Sequence, residues 1–203
     1  MKKLFPFIGA VMIFGCGLMI HFSYLWSDKA AWSLIISSVN TSAWEIYKPF
    51  GLVYINWIII ELSYLRPSLL HFVCSKLIGM YVLCAAVMSF SMLFHFLPAL
   101  FSEYTVYAAG GMGIILAQFV GYRLYNSKLK CEIFCVPLIV SLMAMIFLII
   151  ILTFYPPKWG VFYDFVGGFY GRVLNYWLQS CFCLFVWNLL FRQNNSKSKL
   201  YNV

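Results

Sequence analysis

Residues 133–155 read IFCVPLIVSLMAMIFLIIILTFY, a stretch without a charged side chain. About 20 consecutive apolar residues in a helix span the hydrocarbon core of a bilayer, so this stretch predicts a transmembrane helix. The whole chain agrees, since 64% of its 203 residues are hydrophobic and only 10% are charged. A soluble domain is usually about 25% charged. The sequence therefore predicts an integral membrane protein built as one transmembrane domain.

Five further stretches of this kind complete a predicted all-α bundle of six transmembrane helices. The predicted spans cover about residues 4–26, 50–65, 69–97, 104–125, 133–155 and 169–191, and part of the polar segment before residue 50 could lengthen the short second span. Residues 33–39 form an apolar run too short to span, which predicts an interfacial or re-entrant segment after the first helix. The predicted domains are a six-helix transmembrane domain over residues 1–192 and a polar cytoplasmic tail over residues 193–203.

The Lys and Arg residues predict the orientation of this bundle, because positive charges concentrate in cytoplasmic loops. With the amino terminus inside, the cytoplasmic side carries Lys2, Lys3, Arg66, Arg123, Lys128, Lys130, Arg192, Lys197 and Lys199. The outer side carries Lys29, Lys48, Lys158 and Arg172. We therefore expect a multi-pass protein of the cell membrane with both termini in the cytoplasm. The positive charges are dispersed, so a nucleic-acid partner is not expected.

A polar insert, NTSAWEIYKP at residues 40–49, interrupts the apolar pattern on the predicted outer side. A carboxylate and an ammonium beside lipid are costly unless they are paired or used, so Glu45 and Lys48 indicate a site. The residues predicted to converge on an outward-facing ligand pocket there are His21, Asn40, Ser42, Glu45, Lys48, His95 and Asp164. The alternative is an ion pair at the membrane surface, with Trp44 and Tyr47 in an aromatic belt.

A polar stripe on the sixth predicted span would extend this pocket. Arg172, Asn175 and Gln179 share one helical face, and a stripe facing lipid would be costly. One interpretation is a cavity wall in which Arg172 favours an anionic group. The alternative is a set of hydrogen bonds between helices. Gln118 and Ser141 on neighbouring spans could complete either arrangement.

A second pair of charges lies in the predicted cytoplasmic half. Glu61 is on the second predicted span and Lys76 on the third, and a turn at Arg66 and Pro67 joins the two. Either charge alone would be costly in the membrane, so the sequence predicts an intramembrane ion pair between them. Arg66 is the competing partner for Glu61, and a proton-coupling role is the functional alternative.

Recognisable catalytic and cofactor motifs are absent from the chain. There is no His-Glu-x-x-His, no phosphate-binding loop and no Gly-x-Ser-x-Gly. The sequence therefore predicts no cofactor and no metal, and a mixed site of His21, His95 and a carboxylate is the alternative. The seven cysteines are odd in number, which argues against a closed disulfide framework.

Two short windows of the chain resemble an uncharacterised family of six-span bacterial membrane proteins, defined as a domain of unknown function. The family pattern after the first helix is Asn-Glu-Ser-x-Trp-Glu-His-x-Lys, matched here by Asn40, Ser42, Trp44, Glu45 and Lys48. A later pattern of Pro-Pro, Phe-x-Asp and Tyr-Gly is matched by Pro156, Pro157, Phe162, Asp164, Tyr170 and Gly171.

The chain departs from this family pattern at two positions. Thr41 stands where the family has Glu, and Ile46 stands where it has His. If those residues are ligands or acid–base groups in relatives, this chain has lost them. His21 is placed where the family tends to have a histidine. The resemblance implies a bacterial membrane protein with an outer site, and it implies no known activity.

Three classes of function fit these observations. The first is binding or transport of a small or lipid-like ligand, and the chain is similar in size, charge and span number to the substrate-binding membrane subunits of vitamin uptake systems. Membrane partner subunits are then expected. The second is an enzyme acting on a lipid or lipid-linked substrate, with Glu45 as general base or ligand, paired with His21 or His95. The third is an accessory subunit of a larger membrane complex.

Overall fold

The computed structural model describes residues 4–30, 32–96, 103–129, 131–164 and 169–170. These residues are mostly helical, as the sequence predicts. Six α-helices are α1 (Phe5–Trp26), α2 (Ser33–Ile36), α3 (Ala43–Leu65), α4 (Leu69–Phe96), α5 (Glu103–Tyr125) and α6 (Cys135–Phe154). Short 3-10 helices cover Cys131–Phe134 and Gly160–Phe162, and two antiparallel two-residue strands are β1 (Tyr163–Asp164) and β2 (Phe169–Tyr170).

Three of these helices are long and apolar enough to cross a membrane. They are Phe5–Trp26, Leu69–Phe90 within α4, and Cys135–Phe154. Helices α3 and α5 have 23 residues each but carry more polar side chains, among them Glu61 and Gln118. The fold is therefore compatible with a membrane location.

Two predicted boundaries differ from the structure. Helix α3 begins at Ala43, whereas the predicted second span begins at about residue 50, so most of the polar insert belongs to the helix. The predicted sixth span begins at about residue 169, but Phe169 and Tyr170 form β2 and pair with β1. The rest of that span and the predicted tail lie outside the described residues.

The core lies between α1, α3, α4 and α5, and α6 packs against α4. Tyr47, Phe50 and Tyr54 of α3 are fully buried there. Close approach depends on small residues, since a Cβ at Gly79 of α4 would overlap the carbonyl oxygen of Ala117 on α5. Van der Waals packing of this kind is one of the forces that associate helices in lipid, where burial of apolar surface provides little driving force.

The antiparallel helices create two ends, named here by the predicted orientation. The inner end contains the start of α1, the turn from α3 to α4 and the end of α5. The outer end contains the end of α1, α2, the start of α3 and the end of α6. Arg66 closes α3 in the left-handed conformation, with φ 44°, and Pro67 follows it, so the chain reverses sharply at the inner end.

Candidate functional site

The polar insert folds as a capped helix start at the outer end. Ser42 is the N-cap of α3, and its Oγ accepts a hydrogen bond from the backbone N–H of Glu45 at 3.4 Å. Asn40 Oδ1 accepts from the backbone N–H of Ser42 at 2.9 Å. Such caps satisfy the N–H groups that a helix start leaves without partners. The predicted site residues Asn40 and Ser42 therefore have a clear local structural role.

Pro49 lies inside α3 and has no N–H to donate to the carbonyl of Glu45, four residues earlier. Ser38 supplies the missing donor, because its Oγ lies 2.7 Å from the Glu45 carbonyl oxygen. The backbone N–H of Val39 also donates to Glu45 Oε2, at 2.9 Å. The segment before the helix is thus bonded to both the backbone and the side chain of Glu45.

Glu45 and Lys48 form a buried ion pair, with Glu45 Oε2 and Lys48 Nζ 2.8 Å apart. Lys48 Nζ also donates to the carbonyl oxygen of Leu34 at 3.0 Å and to Thr153 Oγ1 at 3.1 Å. An ammonium has three N–H groups, so these three oxygens saturate it. The pair therefore fastens α3 to α2 and to the end of α6.

The two windows that carry the family resemblance contact each other at this end. The Thr41 hydroxyl donates to Asp164 Oδ1, and the Trp44 ring lies 5.5 Å from the Phe162 ring. Asp164 is buried. Residues far apart in the sequence thus form one cluster, which we call the outer cluster: Thr41, Trp44, Glu45, Lys48, Phe162 and Asp164.

His21 lies at the same end, on α1. Its Nε2 is 3.0 Å from the hydroxyl of Tyr107 on α5, and which of the two donates depends on the histidine tautomer. The carbonyl oxygen of His21 accepts from Ser37 Oγ at 2.6 Å, which holds the segment after α2 against α1. His21 is therefore buried between α1, α5 and the chain leading to the insert.

Two nitrogen atoms at the outer end are buried without a hydrogen-bond partner among the described residues. They are Nδ1 of His21 and Nε1 of Trp44. A buried polar atom without a partner costs about 1–3 kcal/mol, and native structures rarely keep one without a reason. Lys48, in contrast, is saturated, so these two nitrogens are the buried outer-end side-chain atoms that lack a partner within the described part of the chain.

Four predicted site residues are not placed by these observations. Arg172, Asn175 and Gln179 lie outside the described residues. His95 lies on α4, but its side chain is outside the part of the chain that the structure describes.

Ser141 Oγ is 2.6 Å from the hydroxyl of Tyr81, so it joins α6 to α4.

The inner end contains the second charged pair. Lys76 Nζ lies 2.5 Å from Glu61 Oε2 and donates to Gln118 Oε1 at 2.8 Å. Both charged side chains are almost fully buried. Gln118 therefore belongs to the inner pair in the described structure, and its Nε2 is buried without a partner among the described residues.

Several residues of these clusters do not emerge from the sequence patterns. Tyr107, Thr153 and Ser38 are ordinary residues of apolar helices or loops until their partners are known. One signal was present: a proline within a helix leaves a carbonyl four residues earlier without its donor, so the position of Pro49 points to Glu45. Within the described ranges, no group of three or more His, Cys, Asp or Glu residues could hold a metal ion.

Comparison with known proteins identifies a family for this chain. A model for a family of unknown function, DUF6512, matches residues 1–172. This match confirms the resemblance to a domain of unknown function, while the motif read from the sequence stays a prediction. No curated protein and no solved structure matches the chain.

Proposed function

Because the chain belongs to the DUF6512 family, whose function is unknown, we propose its function from the geometry of its outer end. The protein is a multi-pass protein of a bacterial plasma membrane. It binds a small or lipid-like ligand and transports that ligand. The ligand is recognised at the outer end, beside His21 and Trp44. The outer cluster holds this region in place through the saturated Glu45–Lys48 pair.

One observation carries the proposal: two buried nitrogens, His21 Nδ1 and Trp44 Nε1, have no partner among the described residues. Inside a membrane protein the missing partner is costly, and a ligand with hydrogen-bonding groups would supply it. The Trp44 indole offers a donor on an apolar ring, which suits a ligand with a polar head and an apolar body. Membrane partner subunits fit this role but have no support in the described contacts.

Native mass spectrometry of the protein purified from its own membranes tests ligand binding. We expect a bound small molecule or lipid that is lost in His21→Phe and in Trp44→Phe. Trp57→Phe is the matched control, because Trp57 Nε1 is also buried without a partner but lies away from the outer end. Wild-type protein without a bound molecule, or equal occupancy in all variants, would contradict the proposal.

Thiol labelling in intact cells tests the proposed topology. Lys158 lies in the outer loop after α6 and Lys128 in the loop after α5, and both side chains are exposed. We expect a membrane-impermeant maleimide to label Lys158→Cys in intact cells and Lys128→Cys only after lysis, above the background of the unsubstituted chain. The reverse pattern would place the outer cluster in the cytoplasm.

A second candidate function is an accessory subunit of a larger membrane complex. The observation that favours it is the saturation of Lys48 by three protein oxygens, because the charges of the insert then serve to lock helices together. In that case Glu45→Gln lowers stability, and native mass spectrometry detects no bound molecule in either the wild type or the variant. A bound molecule that disappears in Trp44→Phe at unchanged protein abundance would decide against this candidate.

A further inference from the structure

A cavity at the inner end leads to the Glu61–Lys76 pair. It has a volume of about 70 Å³. Its lining runs from the exposed Asn126, after α5, to the buried Glu61. Apolar groups from α1 and α4, Phe5, Pro6 and Phe72, form much of the wall.

The size of the cavity limits what can enter it. Pockets for small-molecule ligands usually measure about 300–1,000 Å³, several times more than this cavity. A single water needs about 10–15 Å³ on a comparable measure, so the cavity has room for several waters. Its polar lining from Glu61, Lys76 and Asn126 supplies the partners that such waters require. Water and the hydronium ion are therefore the occupants that fit this cavity.

We propose that this cavity is a proton-binding site, in which water from the inner end delivers a proton to the Glu61 carboxylate. A hydronium ion in the cavity loses one proton, an O–H bond forms on Glu61, and a neutral water remains. Lys76 keeps its three protons and its hydrogen bond to Gln118. The net charge of the pair rises from zero to plus one. This proposal goes beyond ligand binding at the outer end and does not rest on it.

The groups around Glu61 determine what its protonation does. Lys76 faces it from α4, Tyr54 interacts with it from the same helix α3, and Tyr122 and Tyr125 of α5 line the cavity. Helix α1 contributes only Phe5 and Pro6 to the lining. Protonation removes the carboxylate that compensates Lys76 in the described structure, and an uncompensated buried ammonium is costly.

Proton binding therefore favours a state in which Lys76 gains other partners. Among the described residues its Nζ bonds only two oxygens, of Glu61 and Gln118, and Lys76 itself lines the cavity. Cavity water can thus solvate the ammonium once Glu61 is neutral. Since Glu61, Lys76 and Gln118 lie on three different helices, the proton shifts the packing of α3, α4 and α5. Such a shift is a means by which a proton gradient can drive a membrane transporter.

Infrared spectroscopy of protein labelled with ¹³C at its glutamate carboxyls measures this protonation directly. As the pH falls from about 9 to about 4, we expect a protonated-carboxyl band with a component that is missing in Glu61→Gln. The amide bands report whether each protein remains folded. If wild type and Glu61→Gln show the same protonated-carboxyl band at every pH in this range, the proposal is overturned.

A second variant keeps the test decisive if Glu61→Gln does not fold. Lys76→Gln removes the ammonium and leaves a lone buried carboxylate, which is neutralised by binding a proton. We expect this variant to show the protonated-glutamate band already near neutral pH. Its absence there would contradict the proposal.

The route of the proton is tested by closing the cavity. Asn126→Trp fills the exposed mouth, whereas Asn56→Trp places the same side chain at an exposed position of α3 outside the lining. After a pH jump, we expect the Glu61 band to appear more slowly by about tenfold or more in Asn126→Trp, a barrier increase of about 1.4 kcal/mol. Equal rates in both variants would exclude the cavity as the route.

Discussion

The outer and inner ends each bury one Glu–Lys pair, and the two pairs differ in what surrounds them. At the outer end Lys48 Nζ bonds three protein oxygens, from Glu45, Leu34 and Thr153. At the inner end Lys76 Nζ bonds two oxygens, from Glu61 and Gln118, and both charged residues line a cavity. The same residue types thus form an anchor whose ammonium has three protein partners at one end and a buried pair that lines a small cavity at the other.

This difference matters because the cost of a buried charge depends on what can replace a lost partner. Removing one member of a closed pair leaves a buried charge without an opposite charge, at a cost of about 3–5 kcal/mol. A pair beside water can exchange a proton or gain solvent instead. The outer end is therefore expected to resist change, and the inner end is expected to respond to pH.

The largest expected effect separates the two lysines. Lys48→Met leaves the Glu45 carboxylate buried with the Val39 N–H as its donor among the described residues, and we expect a loss of about 3–5 kcal/mol in unfolding free energy. Lys76→Met is expected to cost less, because cavity water can deliver a neutralising proton to Glu61. Unfolding in mixed micelles of rising SDS content measures both.

The exposed Lys29 provides the control for this comparison. Lys29→Met is expected to change stability by no more than about 0.5 kcal/mol. If Lys76→Met proves as destabilising as Lys48→Met, the inner pair is not relieved by water and the comparison fails.

A smaller effect is expected where the insert meets the last outer loop. Thr41→Val removes the hydroxyl that donates to Asp164 while keeping the side-chain shape, and a hydrogen bond to a charged group is worth about 1.5–3 kcal/mol. The same unfolding titration measures the loss of unfolding free energy. Ser63→Ala, which removes an exposed hydroxyl on α3, serves as the control. A loss no larger than that of the control would show that the two windows are not joined by this bond.

The lengths of the apolar stretches predict most of the helical fold. Predicted spans at about residues 69–97 and 104–125 compare with helices Leu69–Phe96 and Glu103–Tyr125. The start of α3 is harder to predict, because hydropathy alone leaves open how much of the polar insert belongs to the helix. The capping residues Asn40 and Ser42 and the bonded Glu45–Lys48 pair make that insert helical instead.

The contacts of the candidate site depend on tertiary structure, and the sequence supplies only part of them. The pairs Glu45–Lys48 and Glu61–Lys76 follow from the cost of a lone charge beside lipid. The partners Leu34, Thr153 and Tyr107 do not, because a backbone carbonyl or a single hydroxyl in an apolar helix has no distinguishing pattern. The predicted stripe of Arg172, Asn175 and Gln179 lies outside the described residues and stays a prediction.

Ser38 and Pro49 allow a finer test of the closed outer end. Ser38→Ala leaves the Glu45 carbonyl without its donor, and we expect a loss of about 1–2 kcal/mol in unfolding free energy. Pro49→Ala restores an N–H that can donate to the same carbonyl along the helix. Ser38→Ala should therefore cost less in the Pro49→Ala background, and an equal cost in both backgrounds would show that Ser38 does not replace the missing donor.

The smallest expected effect concerns the hydroxyl that joins α5 to α1 at the outer end. Tyr107→Phe removes the bond to His21 Nε2, and hydrogen bonds between membrane helices average about 0.6 kcal/mol. Tyr54→Phe is the matched change toward the inner end, where the hydroxyl lies 3.5 Å from the Ala117 carbonyl oxygen and should contribute less. Ligand occupancy adds a second measurement, because loss of the Tyr107 hydroxyl frees His21 to change tautomer. We expect lower occupancy in Tyr107→Phe than in Tyr54→Phe, and the reverse order would remove His21 from the proposed ligand site.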